Sequence, residues 1–319
     1  MRSEPDDEIR VVVDESTLDF RGLAASEIED GLDLLNETIG GLRDKGILTA
    51  TSPMWDATEV LDGCELIDYL SRGWPSDVDR DTLILASSLL GNCPEWSDDA
   101  GDVAPESSIA GAEPALALSV GYALSRYLQR HAVACLTFPS VLRVGLLEVT
   151  SGGRRGEAFF LADLDGLKDF WRWRMRWESV AEVDFFAACD IAFPALKMHD
   201  DLSFRRFDGT YSDLLGRVID ALSVLNDHFL TAYRQGRGIS REVQSTLGRH
   251  HFDVSMESVK TRSSEKLMKL RDIVFGDTEY RCEWHVKIEP HRNRIHFWIG
   301  NDETDSPILV GLFVNHLPT

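Results

Sequence analysis

Residues 279–319 gather side chains that can exchange protons or hold an anion. They contain three runs rich in β-branched and aromatic residues, separated by Pro, Gly, Asn and Asp. This pattern is typical of three consecutive antiparallel strands. Because side chains alternate between the two faces of a strand, one face of the predicted sheet is apolar. The other face carries the ionisable side chains Arg281, Glu283, His285, Lys287, Arg294 and His296.

Histidines are concentrated in the same part of the chain. A histidine titrates near neutral pH, so it can act as a general acid or base. The pairs His250–His251 and His285–Glu283 could instead bind a metal ion. Cross-strand charges on an exposed sheet face are also often ordinary ion pairs. Six of the nine histidines lie in this region: His250, His251, His285, His291, His296 and His316.

A basic segment precedes the strands. The apolar spacing in residues 257–275 predicts a helix, and a further arginine lies in the turn between the first two strands. Clustered cations of this kind can bind the phosphates of a nucleic acid. We therefore take six residues as candidate RNA-binding cations: Lys260, Arg262, Lys266, Lys269, Arg271 and Arg292.

A basic helix followed by three antiparallel strands resembles the RelE/HigB superfamily of ribosome-dependent mRNA-cleaving toxins. The resemblance rests on Asn293–Phe297 and on Ile308–Phe313 with Asn315 and His316 after it. It covers the C-terminal quarter of the chain, residues 236–319. The same ending also resembles uncharacterised bacterial proteins encoded near phage-defence genes.

The resemblance implies a cleavage reaction that needs no metal or other cofactor. In that family a ribose 2′-hydroxyl attacks the adjacent phosphate. Arg294 matches the family's strand arginine and would hold the phosphate, and His316 lies where the family often has its C-terminal acid or base. The remaining proton-transfer role would fall to Lys287, His285 or His296. The expected partner is RNA or the ribosome, together with a protein partner in a defence or toxin–antitoxin assembly.

The composition limits how the rest of the chain can act. The 319 residues carry a net charge of −21, which excludes a nucleic-acid binder that uses its whole surface but permits one local basic surface. Members of the resembled family are small and usually basic, so either the toxin is fused to a controlling or targeting part, or its fold has been kept as a binding module. The apolar runs are shorter than the ~20 residues of a membrane span, and the first eight residues lack the apolar core of a signal peptide. We expect a cytoplasmic protein that makes no use of a membrane.

A second candidate site lies near the N-terminus. Residues 9–13 predict a buried strand, and a helix and a strand at 47–50 complete a β-α-β beginning. Asp14 directly follows the first strand, where PIN-type nucleases place an aspartate, and Glu113 could supply a second carboxylate for Mg²⁺ or Mn²⁺. An aspartate at this position is equally typical of a simple turn.

These patterns predict an α+β protein of three parts. The parts are an α/β domain at 1–138 with an exposed acidic loop at 92–112, a mixed hairpin and helical region at 139–235, and a RelE-like helix-plus-sheet domain at 236–319. The favoured function is that of an RNA-directed toxin or anti-phage defence effector. A noncatalytic protein-interaction subunit of a defence or toxin–antitoxin complex, and a PIN-like metal nuclease centred on Asp14, are the alternatives.

Overall fold

The structure is a computed structural model that describes residues 8–72, 77–97, 103–300 and 308–319. The chain divides into two compact units, Met1–Glu178 and Ser179–Thr319. Both units combine helices with sheet, so the predicted α+β class is confirmed. None of the helices in the described ranges has the length and apolar character that a membrane crossing requires.

Unit 1 combines strands and helices along its length. Its strands are β1 (Val11–Val13), β2 (Thr49–Ala50), β3 (Glu59–Leu61), β4 (Cys64–Glu65), β5 (Glu106–Ile109), β6 (Ala115–Leu116), β7 (Ala134–Leu136), β8 (Gly145–Ser151) and β9 (Arg154–Leu161). Its helices are α1 (Ala25–Asp44), α2 (Leu66–Arg72), α3 (Arg80–Gly91), α4 (Leu118–Leu128) and α5 (Leu167–Trp177).

The core of unit 1 is a mixed seven-stranded sheet with β9 at its centre. The strand order is β2-β1-β7-β9-β8-β5-β6. Strands β2, β1, β7 and β9 are mutually parallel, and β8, β5 and β6 continue the sheet with antiparallel pairs. The predicted β-α-β beginning is therefore confirmed, because β1 and β2 are parallel and α1 connects them. The buried stripe of α1 consists of Ile28, Leu32, Leu35, Ile39 and Leu42.

The hairpin of β8 and β9 corrects the predicted boundary at residue 138. The β9 strand pairs with β7, so the hairpin belongs to the sheet of unit 1 and not to a separate middle region. The predicted acidic loop at 92–112 is also only partly a loop, because β5 pairs with β8 and Trp96 is buried. Residues 98–102 of that loop, and residues 1–7 used for the signal-peptide argument, lie outside the described residues.

Unit 2 contains a five-stranded sheet and a small hairpin. Its helices are α6 (Glu182–Ala192), α7 (Tyr211–Val224), α8 (Leu230–Gln235), α9 (Ser240–Leu247), α10 (Val259–Arg262) and α11 (Glu265–Met268), with a π-helical turn at Leu225–Phe229 between α7 and α8. Its strands are β10 (Leu196–Met198), β11 (Asp253–Met256), β12 (Asp272–Phe275), β13 (Thr278–Arg281), β14 (Trp284–Lys287), β15 (Arg294–Trp298) and β16 (Ile308–Val314).

The five-stranded sheet has the order β10-β16-β15-β14-β11, in which β14, β15 and β16 are consecutive antiparallel neighbours. Its apolar face packs on the π-helical turn, where the ring of Phe229 contacts Trp284 and Phe297 edge to face at 5.3 and 4.9 Å between centroids. Since this turn joins α7 to α8, the helices before residue 235 and the strands after it share one core. The predicted domain boundary at 235 does not separate the two.

Two predictions for the C-terminal region need correction. Residues 257–275 do not form one helix but the short helices α10 and α11, a 3₁₀ turn at Lys269–Arg271 and strand β12. Ser258 caps α10 by accepting a hydrogen bond from the Thr261 amide at 3.1 Å. The next short helix, α11, begins after Ser264. The first predicted strand is likewise divided. Residues up to Arg281 belong to β13 and pair with β12, so only β14 joins the main sheet.

Each unit buries at least one free cysteine. Cys135 lies in β7 of unit 1, and Cys189 and Cys282 lie in unit 2. Burial raises the pKa of the Cys282 thiol to about 12, and the charge of Asp272 adds to this effect. Burial also raises the pKa of Cys135. Cys64 and Cys93 are partly exposed.

Candidate functional site

The polar face of the main sheet in unit 2 is largely covered. His285 on β14 and His296 on β15 are directly paired across the strands, and their rings are 5.3 Å apart between centroids. His296 is fully buried and His285 is only 6% exposed. The residues 257–282, which we call the covering segment, bring Glu257 and Arg271 onto the two histidines. The two predicted catalytic residues His285 and His296 are therefore buried beneath the covering segment.

Glu257 and Arg271 form the centre of this buried group. Arg271 Nε lies 2.8 Å from Glu257 Oε1. The other two guanidinium nitrogens of Arg271 donate to main-chain carbonyls, Nη1 to Leu267 at 2.8 Å and Nη2 to Pro318 at 3.2 Å. Arg271 is fully buried, so it cannot reach RNA as the sequence had suggested. It connects the covering segment to the end of the chain.

The charges in this group follow from its surroundings. Burial raises the pKa of Glu257, but the neighbouring His285 and Arg271 outweigh it, and the resulting pKa is about 2. Burial lowers the pKa of His296 well below its usual value, and the neighbouring His285 lowers it further. At neutral pH Glu257 is therefore an anion and His296 is neutral.

Several buried polar atoms of this group have no hydrogen-bond partner among the described residues. They are His285 Nδ1, both ring nitrogens of His296 and, by strict geometry, Glu257 Oε1. His285 Nδ1 lies 3.4 Å and His296 Nδ1 lies 3.6 Å from Glu257 Oε1. These separations are too long for good hydrogen bonds, and buried polar atoms are normally paired.

Arg294 and His316 form the accessible end of the predicted site. Arg294 is half-buried, and its Nε is buried without a hydrogen-bond partner in the part of the chain that the structure describes. Burial lowers the pKa of Arg294, whereas the charge of Glu257 raises it. His316 follows β16 and is exposed. Its pKa is lowered by partial desolvation and by the charge of Arg294, so its imidazole is neutral at pH 7.

Other predicted cations are already neutralised. Lys287 forms an ion pair with Asp253 on the neighbouring strand β11. Arg292 pairs with Asp208 at 2.9 Å and Glu289 at 2.7 Å, and Arg281 pairs with Asp272 and Glu265. Four of the predicted RNA-binding residues remain exposed, with no ion pair to any described residue: Lys260, Arg262, Lys266 and Lys269.

The structure changes the choice of possible metal ligands. Glu257, and not Glu283, stands beside His285 Nδ1. With His296 they form the one group of three or more histidine, cysteine or carboxylate side chains, within the described ranges, whose ligand atoms lie within 4.8 Å of one another. His250 belongs to a different surface, where its ring stacks on His228 at 4.0 Å between centroids.

Asp14 is buried at the end of β1, and both of its oxygens have partners. Oδ1 accepts from the amide and the hydroxyl of Ser16, and Oδ2 accepts from Arg143 at 2.9 Å. Burial raises the pKa of Asp14, and Arg143 opposes this effect. Glu113 is exposed in the turn after β5. Among the described residues Asp14 belongs to no cluster of three metal-binding side chains, so the carboxylate group expected of a PIN-like site is not found there.

Two buried acids were missed by the sequence analysis. In the sequence, Glu257 could be recognised only as the first residue of a predicted helix. Glu15 follows Asp14 and is 3% exposed. Its Oε1 accepts from the Ser119 amide at the start of α4, and its Oε2 has no partner among the described residues. Burial, together with the charge of Asp14, raises the pKa of Glu15 to about 7.

Comparison of the chain with protein-family models, with curated proteins and with solved structures found no match. The resemblance to RelE/HigB toxins therefore stays a prediction that rests on the residues quoted for it.

Proposed function

We propose that this protein is an RNA-directed toxin or anti-phage defence effector that cleaves RNA without a metal at the surface formed by Arg294 and His316. The observation that carries the proposal is that Arg294, whose buried Nε has no hydrogen-bond partner among the described residues, lowers the pKa of His316 by its charge. A half-buried guanidinium with an unsatisfied Nε favours an anionic ligand, and guanidinium binds phosphate in a bidentate manner.

The chemistry requires few groups. Neutral His316 takes the proton from a ribose 2′-hydroxyl, whose oxygen forms a bond to the adjacent phosphorus while the bond from phosphorus to the 5′-oxygen breaks. Arg294 stabilises the negative charge that builds on the phosphate oxygens. The leaving 5′-oxygen takes a proton from water. The products are a 2′,3′-cyclic phosphate and a 5′-hydroxyl end.

The charge distribution supports an RNA partner for this surface. Lys260, Arg262, Lys266 and Lys269 are exposed on the covering segment, which packs on the same sheet face, and none of them forms an ion pair with a described residue. The rest of the chain is strongly acidic, with a total net charge of −21, and so repels a polyanion elsewhere. We propose that RNA or the ribosome docks on the covering segment in the cytoplasm.

The test is an RNA-cleavage assay combined with induced expression in bacteria. Arg294→Ala and His316→Ala should each abolish growth arrest and the formation of cyclic-phosphate ends, and EDTA should leave the wild-type activity unchanged. Arg292→Ala is the matched control, because Arg292 is an exposed arginine already held by two carboxylates. Circular dichroism would check that each variant folds. Activity that persists in both site variants would contradict the proposal.

A noncatalytic role in a protein assembly is the second candidate. It is favoured by three exposed apolar side chains on the covering segment, Val259 at 73%, Val274 at 62% and Leu270 at 45% exposure. Such side chains are typical of an interaction surface when they are grouped. If this candidate is right, Val259→Asp with Val274→Asp should abolish the cellular effect, while Arg294→Ala should leave it intact. The reverse result would favour cleavage.

A further inference from the structure

The buried group of Glu257, His285 and His296 has unused binding capacity. Each of the three side chains has a ligand atom without a hydrogen-bond partner in the described part of the chain. The three residues are at most 6% exposed. A buried imidazole with two unsatisfied nitrogens, such as His296, is costly unless a water molecule or an ion occupies the adjacent space.

The separations of these atoms suit a small cation. In a tetrahedral site with bonds of 2.0–2.1 Å, neighbouring ligand atoms are about 3.3 Å apart. The Glu257 Oε1 atom lies 3.4 and 3.6 Å from the two histidine Nδ1 atoms. Octahedral ions with similar bonds bring neighbouring ligands closer, and Mg²⁺ and Ca²⁺ prefer oxygen donors alone.

We propose that Glu257, His285 and His296 bind one divalent transition-metal ion, for which Zn²⁺ is the best fit. Two imidazoles and one carboxylate are a common ligand set for this ion, and a water molecule would complete a tetrahedral shell. The three residues come from the end of β11, from β14 and from β15. The ion would therefore tie three neighbouring strands together from the covered side of the sheet.

Arg271 is the main electrostatic obstacle to this site. Its Nε lies 2.8 Å from the same Oε1 atom, and its charge lowers the affinity for a second cation. A carboxylate oxygen has more than one lone pair, so it can accept from arginine and coordinate a metal at the same time.

The ion would be structural, and the inference does not depend on RNA cleavage. The proposed cleavage uses Arg294 and His316, neither of which is a ligand here. Failure of one proposal therefore leaves the other standing. Metal content and thermal stability read out the ion site, whereas RNA ends read out the cleavage site.

The experiment uses full-length protein carrying His250→Ala and His251→Ala, which removes the exposed pair most able to bind metal adventitiously. After dialysis against EDTA, Zn²⁺ is titrated against a chromophoric chelator, and Co²⁺ is added separately to record its visible absorption. We expect one equivalent per chain, the absorption of tetrahedral Co²⁺ and a higher Tm with Zn²⁺. Glu257→Gln and His285→Ala should each weaken binding by more than about tenfold, because a direct ligand matters more than an outer partner. His316→Ala should bind as tightly as its parent.

The Co²⁺ spectrum is recorded on the parent protein, so this measurement does not depend on whether variants of the buried group fold. The proposal is overturned if the folded parent binds no Zn²⁺ and shows no tetrahedral Co²⁺ spectrum, in which case buried water satisfies the histidines. It is equally overturned if folded Glu257→Gln and His285→Ala variants bind as well as the parent.

Discussion

Arg271 and Glu257 form an ion pair in which both side chains are buried, with Nε 2.8 Å from Oε1. Arg271→Leu would leave the Glu257 carboxylate buried without its arginine, so we expect the free energy of unfolding to fall by about 3–5 kcal/mol. Urea denaturation at pH 7 measures this loss. The exposed Arg292→Leu should leave the free energy of unfolding almost unchanged, because a solvent-exposed ion pair contributes little to stability. Equal losses in the two variants would mean that the buried ion pair stabilises the fold no more than the exposed one.

The charge of Arg294 should be visible in the titration of His316. Partial desolvation and Arg294 lower the pKa of His316, so removing the guanidinium in Arg294→Met should raise this pKa toward its ordinary value. NMR titration of the imidazole resonances measures the change. His250 is a control, because its pKa is lowered by desolvation, His228 and its neighbours, and not by Arg294. An unchanged His316 pKa would show that the charge of Arg294 does not act on His316, and this result would count against the proposed cleavage site.

The activity itself should depend on pH in the same direction. A general base works in its neutral form, and the lowered pKa of His316 keeps it neutral at pH 7. We expect kcat/KM for RNA cleavage to rise with pH and to level off below pH 7. In Arg294→Lys the rising part should move to higher pH if lysine places its charge less favourably. A profile that still rises well above pH 7 in the wild type would indicate a base other than His316.

Glu15 should make unit 1 less stable as the pH rises. Its pKa in the folded protein is about 7, against an ordinary value of 4.5, so the folded state holds a proton that the unfolded state has released between these values. The resulting cost is absent below pH 4.5 and complete above pH 7, where it reaches about 3 kcal/mol. Glu15→Gln should therefore stabilise the protein at pH 8 far more than at pH 5. Unfolding curves across this range test it, with the exposed Glu113→Gln as the control that should show no such trend.

Two glycines of helix α1 should respond oppositely to alanine. A Cβ atom on Gly31 would lie 2.3 Å from Cζ of Phe138, whereas nothing lies within 4 Å of one on Gly40. Gly31→Ala should cost about 1–3 kcal/mol through overpacking. Gly40→Ala should stabilise the helix by up to about 1 kcal/mol. Thermal unfolding of both variants gives the comparison, and a stabilising Gly31→Ala would show that Phe138 moves freely.

Local sequence patterns predicted the strands and the first helix well. The apolar stripe of α1 and the alternation in β14 and β15 are set by neighbours along the chain, and the structure has them as expected. Alternation correctly separated His285 and His296 from the apolar face. It does not tell whether the polar face meets solvent, since that depends on the distant residues that pack against it.

The covering segment is where the sequence was misleading. Its cations suggested one exposed basic helix, yet Arg271 is fully buried and the last residues form β12. Charged residues are seldom buried without a partner, and the partner here, Glu257, becomes apparent only when the chain folds back on the sheet. The pairing of Asp14 with Arg143 is another such contact, because it joins residues far apart in the sequence.

A buried thiol in each unit can report how fast that unit opens. Cys135 in unit 1 and Cys282 in unit 2 are fully buried, with pKa values raised by burial, so a thiol reagent can modify them only when the surrounding structure opens. Replacing the other four cysteines by serine would leave Cys135 or Cys282 as the single reporter in each variant. The labelling rates would then measure how fast each unit opens in the native protein. A ligand that slows the labelling of one thiol would identify the unit whose opening it suppresses.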